Sequence, residues 1–206
     1  MIDLILDDCM NVMSKYEDKH FDLAIVDPPY EIPKSWGGAG KLKNRIIQKE
    51  TKKLKQWDIA PKKEYFDELF RVSQNQIIWG GNYFLDHLGK TRGIICWDKK
   101  QPFPNFSAWE MAWTSFEKPA KLFRYDNRRG GKIHPTQKPI ELYEWLLSLY
   151  AEKGQKILDT HLGSGSSAIA AHYFGVNEFL GIEIDQEYFD SAKNRFEKST
   201  RQLQLI

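Results

Sequence analysis

Cysteine is scarce: Cys9 and Cys96 are the only two in 206 residues, and they have no metal-type spacing. The five histidines, at 20, 87, 134, 161 and 172, form no paired-ligand motif, so we expect reduced thiols and neither structural zinc nor another metal site. Long hydrophobic runs are also missing. Stretches such as Leu23 to Val26 and Trp145 to Leu147 are far shorter than a bilayer crossing, and the first residues carry no basic segment followed by a long apolar one. A soluble, cytoplasmic protein without a membrane partner is expected. Internal repeats and low-complexity linkers are absent, and neither charge sign dominates, with 30 Lys and Arg against 28 Asp and Glu. What remains is a chain with 41% apolar residues, enough for one core, and a single domain over 1–206 is predicted.

The even charge is unevenly placed. Residues 31–63 hold ten basic residues, among them Lys34, Lys41, Lys43 and Arg45, against Glu31, Glu50 and Asp58; residues 118–132 hold Arg124, Arg128, Arg129 and Lys132 among six, against Asp126 alone. Two such runs are the footprint of a polyanion, and nucleic acid is the expected partner. Short β-branched runs alternate with amphipathic patterns, which predicts an α/β sheet protein. Strands are read near 2–6, 21–27, 76–80, 93–97, 108–115, 156–160 and 178–184, and helices near 61–74, 137–151, 165–175 and 185–199. Residues 31–59, with Gly37-Gly38-Ala39-Gly40 followed by lysines, lack periodicity and read as a long functional loop.

Two stretches carry chemistry. "AIVDPPYEI", residues 24–32, ends an apolar strand with Asp27-Pro28-Pro29-Tyr30. Proline cannot donate to a sheet ladder and restricts the residue before it, so this turn leaves the sheet stiff and extended. "KILDTHLGSGSSAIAA", residues 156–171, passes from strand through a glycine turn to a helix, whose free amides and close backbone suit a cofactor. Glu183 ends the next apolar strand, placed to accept ribose hydroxyls. Gly163, Gly165 and Ala168 also satisfy the dinucleotide fingerprint, so a nicotinamide-dependent oxidoreductase competes at this point. Asp159, ahead of the glycines, would repel a pyrophosphate and suits a cationic ligand such as S-adenosylmethionine.

Taken together these residues resemble the S-adenosylmethionine-dependent DNA amino-methyltransferases that modify adenine N6 or cytosine N4. "DPPY" at 27–30 is similar to the family's catalytic motif, "DTHLGSGSS" at 159–167 to its cofactor loop and "HPTQKP" at 134–139 to the motif before that loop. Catalytic motif first and cofactor motif last is the permuted β-type order. "IIWGGNYF" at 77–84 and "WEMAWTSF" at 109–116 resemble segments of short phage or prophage members.

The resemblance implies a Rossmann-like methyltransferase fold, a seven-stranded, mostly parallel sheet in the order 3-2-1-4-5-7-6 with helices on both faces. The catalytic half would be 1–133 and the cofactor half 134–206, with no separate target-recognition domain. It implies that Asp27 and the Pro28 carbonyl hold the target amine, that Pro29 stiffens the turn and that Tyr30 stacks on a base flipped out of the duplex. On the cofactor side it implies Gly163, Gly165 and Ser166 at the methionine and ribose, Asp159 at the ammonium, Glu183 at the ribose, Thr136 and Lys138 at the carboxylate and Asp8 at the adenine. Asp8 also reads as a helix cap. His161 stands where the family usually has phenylalanine, and reads as a cofactor contact or a packed ring. The acid opening the catalytic motif favours adenine N6, with cytosine N4 as the alternative; a binding module without turnover is the alternative of another class. A homodimer and a cognate restriction nuclease are the further partners the family suggests.

Overall fold

The structure, a computed structural model, describes residues 1–31, 59–101, 107–126 and 137–201. Strand β2 (Phe21–Val26) is apolar on both sides: Leu23 and Ile25 enter one core cluster, Ala24 and Val26 another. Such a strand belongs mid-sheet, with both faces covered. It lies between β7 (Lys156–Asp159) and β3 (Ser73–Trp79), parallel to both, with Leu23 opposite Ile157 and Val26 opposite Ile78. Beyond β7 come β8 (Glu178–Glu183) and β1 (Ile2–Leu6); beyond β3 come β5 (Trp109–Thr114), β4 (Ile94–Asp98) and β6 (Lys121–Arg124). Strand β5 alone runs antiparallel to its neighbours.

With β7 taken as strand 1, the order from β1 to β4 reads 3-2-1-4-5-7-6, the expected permuted sheet. The sheet has eight strands, however, and the expectation of seven is corrected by β6. This edge strand pairs with β4, Ile95 opposite Lys121 through Asp98 opposite Arg124. Three of its four residues are exposed and only Phe123 turns inward, against Trp145. Backbone pairing to an open edge holds it, and that leaves no apolar alternation to read. Strand β3 also starts three residues before the predicted 76. Its first residue closes the preceding helix, Ser73 Oγ donating to the Leu69 carbonyl at 2.6 Å, and its polar start hides the strand pattern.

Helices α1 (Cys9–Met13) and α2 (Lys63–Val72) cover one face through Val12, Met13, Phe66 and Leu69. Helices α3 (Ile140–Tyr150), α4 (Ser166–Phe174) and α5 (Gln186–Thr200) cover the other through Leu142, Leu146, Ala168, Ala171 and Ala192. Each large side chain buried this way stabilises by roughly 1.5–3 kcal/mol. Among the described residues no helix is long and apolar enough to cross a membrane.

Candidate active site

The parallel strands end at one rim, where loops can project side chains without disturbing the ladder. Asp27 follows β2, Asp159 closes β7, Glu183 closes β8, and Asp7 and Asp8 follow β1. Because β2 and β7 are paired, Asp27 and Asp159 stand at neighbouring strand ends. A cavity of about 250 Å³ opens there, and its wall includes Asp8, Asp27, Pro29, Lys138, His161, Gly163 and Glu183.

The glycine turn is built around two acids. Asp159 accepts the His161 backbone N–H at 3.0 Å and the Ser167 hydroxyl at 2.5 Å; burial pushes its carboxyl up to about 7, against the pull of those two bonds. Glu183 accepts the amides of Gly163 at 2.9 Å and of Ile184 and Asp185 at 3.0 Å each. Burial raises its carboxyl too, opposed by the three amides. Gly165 caps α4 at a φ of 73°, and a Cβ there would stand 3.3 Å from Ala192. The Ser166 hydroxyl donates to the Lys138 carbonyl at 2.8 Å and accepts from Arg195 at 2.8 Å. Asp159, Gly165 and Ser166 thus stand behind the cavity wall and set the loop's shape. Asp8 caps α1 through Met10 N–H at 2.8 Å, as its reading as a helix cap has it, and also lines the cavity.

His161 lies in the wall with Nδ1 2.9 Å from the Thr160 hydroxyl and Tyr65 edge-on at 5.5 Å. Burial holds its pKa down to about 4, so the ring is neutral at neutral pH. Around the turn, Asp8, Glu183 and Asp185 line the cavity and Asp159 backs it, while the Gly163 N–H is committed to Glu183. That set of acids, with the amide already taken, repels a pyrophosphate and suits a ribose-bearing cation. The residues fit the sulfonium cofactor of the resemblance and disfavour a nicotinamide dinucleotide.

At the other wall, the Asp27 carboxylate is gripped on both oxygens. Oδ1 accepts the Tyr30 hydroxyl and Oδ2 accepts the Lys138 ammonium. Lys138 is 2% exposed at its side chain, lies 3.2 Å from Glu110 and sits over the Trp79 ring at 5.2 Å. Glu110 also accepts from Lys99 at 3.0 Å. Burial alone would lower the Lys138 pKa, but Asp27 and Glu110 outweigh it and hold the ammonium above its usual value. For Asp27, burial raises the carboxyl and Lys138 pulls it back. Lys138, expected at a cofactor carboxylate, lines the cavity and meets these two acids. Tyr30 stacks on Tyr83, ring centroids 4.9 Å apart and 16° from parallel. It fits because residue 80 is glycine: at a φ of 68°, a Cβ there would fall 2.1 Å from the Tyr30 ring.

Glu110 and Lys99 escaped the sequence reading. The available sign was an acid inside the otherwise apolar "WEMAWTSF", since a charge in a buried strand needs a partner. Arg124, at the end of β6, is exposed and 3.6 Å from Asp98. Thr136, Lys34, Lys41, Lys43, Arg45, Arg128, Arg129 and Lys132 lie outside the described residues, as does nearly all of 31–59. Among the described residues no cluster of three His, Cys, Asp or Glu could hold a metal.

Known proteins resemble this chain in sequence and in fold. The model of a family described as DNA methylase, N6_N4_Mtase, matches residues 39–194. The type II methyltransferase M2.MboI of Moraxella bovis is 26% identical, over 93% of this chain and 86% of that protein. M2.DpnII of Streptococcus pneumoniae is 24% identical, over 94% of this chain and 89% of that one. Among solved structures, the M1.HpyAVI–SAM complex superposes with a TM-score of 0.65 at 21% identity, covering 95% of this chain and 98% of that one. PvuII DNA methyltransferase, cytosine-N4-specific, gives 0.65 at 12% identity, covering 100% and 88%. With three-quarters of its length inside the family model and the permuted sheet in place, the chain belongs to the N6_N4_Mtase family of DNA methylases.

Proposed function

We propose that this protein transfers a methyl group from S-adenosylmethionine to an exocyclic amine of a base in DNA, adenine N6 in preference to cytosine N4. The observation that carries the reading is the place of Asp27, on the wall of an acid-ringed cavity and joined by a rigid proline turn to the stacked Tyr30 and Tyr83. When bound, S-adenosylmethionine supplies an electrophilic methyl on a sulfonium. This chain's residues do the rest. Asp8 and Glu183 hold the adenosine from the cavity wall, Glu183 keeping a free lone pair on the oxygen that takes Gly163 N–H. Asp159 favours a cation near the turn.

An exocyclic amine is a poor nucleophile because its lone pair is delocalised into the ring. Asp27 and the Pro28 carbonyl accept its two N–H groups and favour the pyramidal nitrogen that can attack. Pro28 is buried and fixes the pair; the Tyr30 ring stacks on the flipped base, offsetting its lost neighbours. Cys9 takes no part as a nucleophile, since burial pushes its thiol up to about 12.

DNA contact falls to the two basic runs of the sequence, Lys34, Lys41, Lys43 and Arg45 in one and Arg124, Arg128, Arg129 and Lys132 in the other. Only seventeen residues lie between "WEMAWTSF" and "HPTQKP", so recognition is minimal, borrowed from a partner subunit or supplied by residues 31–59, and a short or relaxed recognition site is expected. The cytosine N4 reading shares this geometry, because the turn holds an amine and does not read the ring behind it. Labelled methyl transfer to DNA followed by nucleoside analysis decides: labelled N6-methyladenine is expected, labelled N4-methylcytosine would replace the target base, and no labelled base would end the enzyme reading.

A further inference from the structure

Lys138 lies between two carboxylates. Its ammonium donates to Asp27 Oδ2, stands 3.2 Å from Glu110 Oε2 and lies over the face of Trp79. The other Glu110 oxygen accepts from Lys99 at 3.0 Å. The four charges alternate in sign from Asp27 to Lys99, so each inner charge has an opposite charge on either side. An ammonium removed from water needs its protons matched, and here two acids and a ring face match them.

The two ends of the contact are held differently. Glu110 belongs to β5, where pairing with Trp97 of β4 fixes its backbone. Lys138 belongs to the stretch ahead of α3, tied through its carbonyl to the Ser166 hydroxyl. A strand acid therefore anchors a loop lysine, and that lysine grips the carboxylate at the centre of the site.

We propose that Glu110 is a positioning residue of the methyl-transfer site, holding the Lys138 ammonium between itself and Asp27 so that a shared, fixed cation orients the carboxylate that receives the amine. This rests on the reading that Asp27 receives the amine. Sharing is the point of the arrangement. If Lys138 gave its whole charge to Asp27, the carboxylate would be a weaker acceptor for the substrate N–H. If Lys138 were free to swing into the cavity it lines, Asp27 would lose the donor that fixes Oδ2. Glu110 prevents both.

The arrangement has a signature in pH. The groups facing Lys138 are Asp27 from the turn after β2, Glu110 from β5 with Lys99 behind it and Trp79 of β3; Tyr30 from the same turn and Tyr143 of α3 face the two acids, with Asp159 beyond Asp27 at the end of β7. Burial is the largest influence on both members of the pair, raising Asp27 and lowering Lys138; beyond it, the Glu110 charge raises both. Removing that charge moves both titrations to lower pH, whereas loosened packing, by admitting water, moves Asp27 to lower and Lys138 to higher pH.

The test uses the full chain and the variants Glu110→Gln, Glu110→Asp and Lys99→Met. Lysine side-chain NMR, with the Lys138 signal assigned through Lys138→Met, should show Lys138 losing its proton at lower pH in Glu110→Gln than in the wild type. Lys99→Met, which removes a competing cation, should shift it to higher pH. Methyl transfer should fall by about 10- to 100-fold in Glu110→Gln, with both limbs of its pH–rate profile displaced to lower pH. Glu110→Asp should recover part of the rate, and affinity for S-adenosylmethionine should stay within about threefold. An unmoved Lys138 titration overturns the proposal, as does a rate loss with both limbs in place. If the wild type transfers no methyl, the function proposed above fails, and the Lys138 titration alone still decides the role of Glu110.

Discussion

The backbone N–H of His161 donates to the Asp159 carboxylate at 3.0 Å, which places a half-buried imidazole and a buried carboxyl of opposite pH behaviour two residues apart. Both are perturbed by burial: it holds the imidazole down to about 4 and pushes the carboxyl up to about 7. Their contributions to stability run in opposite directions through the acid range.

For His161 the folded pKa lies below the ordinary 6.5. Between those values the unfolded chain binds a proton that the folded chain refuses, so this contribution is present above pH 6.5 and is lost as pH falls through about 4. The full shift corresponds to at most about 3 kcal/mol, less for the part of the ring that water reaches. His161→Phe should flatten the acid side of a stability–pH curve measured by urea unfolding. A variant curve parallel to the wild type's would refute this.

For Asp159 the folded pKa lies above the ordinary 3.8, so the folded chain keeps a proton the unfolded chain has lost. Its contribution is present below pH 3.8 and is lost as pH rises through about 7. Above pH 6.5 the histidine no longer offsets it, and Asp159→Asn should weaken the decline in stability toward pH 8. A cation bound near the turn favours the carboxylate, so S-adenosylmethionine binding near pH 7 should release protons. Calorimetry in buffers of different ionisation enthalpy reads that release; a binding enthalpy independent of buffer would rule it out.

Gly80→Ala should damage the site through Tyr30. The new methyl would fall 2.1 Å from the ring on a backbone already at a φ of 68°, so the ring must leave its stack on Tyr83. The cost is about 1–3 kcal/mol of stability, together with weaker DNA binding and slower transfer. Binding of S-adenosylmethionine should be nearly unchanged, because neither Gly80 nor Tyr30 lines the cavity. An equal loss in cofactor and DNA binding would count against the assignment of Tyr30 to the base.

Asp27→Ala should lower methyl transfer by at least about 10³-fold with cofactor affinity held within about threefold. Lys138 keeps Glu110 as a partner at 3.2 Å. The stability loss should therefore stay below the roughly 3–5 kcal/mol that follows when a buried charge is left without any partner. Retained transfer would remove Asp27 from the centre of the mechanism.

Much of the sheet was legible because its strands are local signals. The apolar run at Leu23–Val26 marks a central strand, and "KILD" before a glycine turn marks its neighbour. The edge strand Lys121–Arg124 was not legible, since only Phe123 turns inward. Residue types at the rim could also be read in advance: Asp27, Asp159, Glu183 and Asp8 all stand at strand ends, as their positions after apolar runs require. Which of them faces the cavity could not be read. Asp159 and Ser166 turned to the loop's own hydrogen bonds, because a tight turn must satisfy its amides and hydroxyls before it can offer any to a ligand.

The sequence by itself determined the α/β class, the permuted order of the motifs and the stiffness of the turn at 27–30, all properties of neighbouring residues. Tertiary structure alone decided the partners of Lys138. It lies 111 positions from Asp27, and Glu110 arrives on a third segment. No local pattern encodes that meeting: it follows from the side-by-side pairing of β2, β3 and β5 in one sheet, which removes one ammonium from water and leaves two acids to receive it.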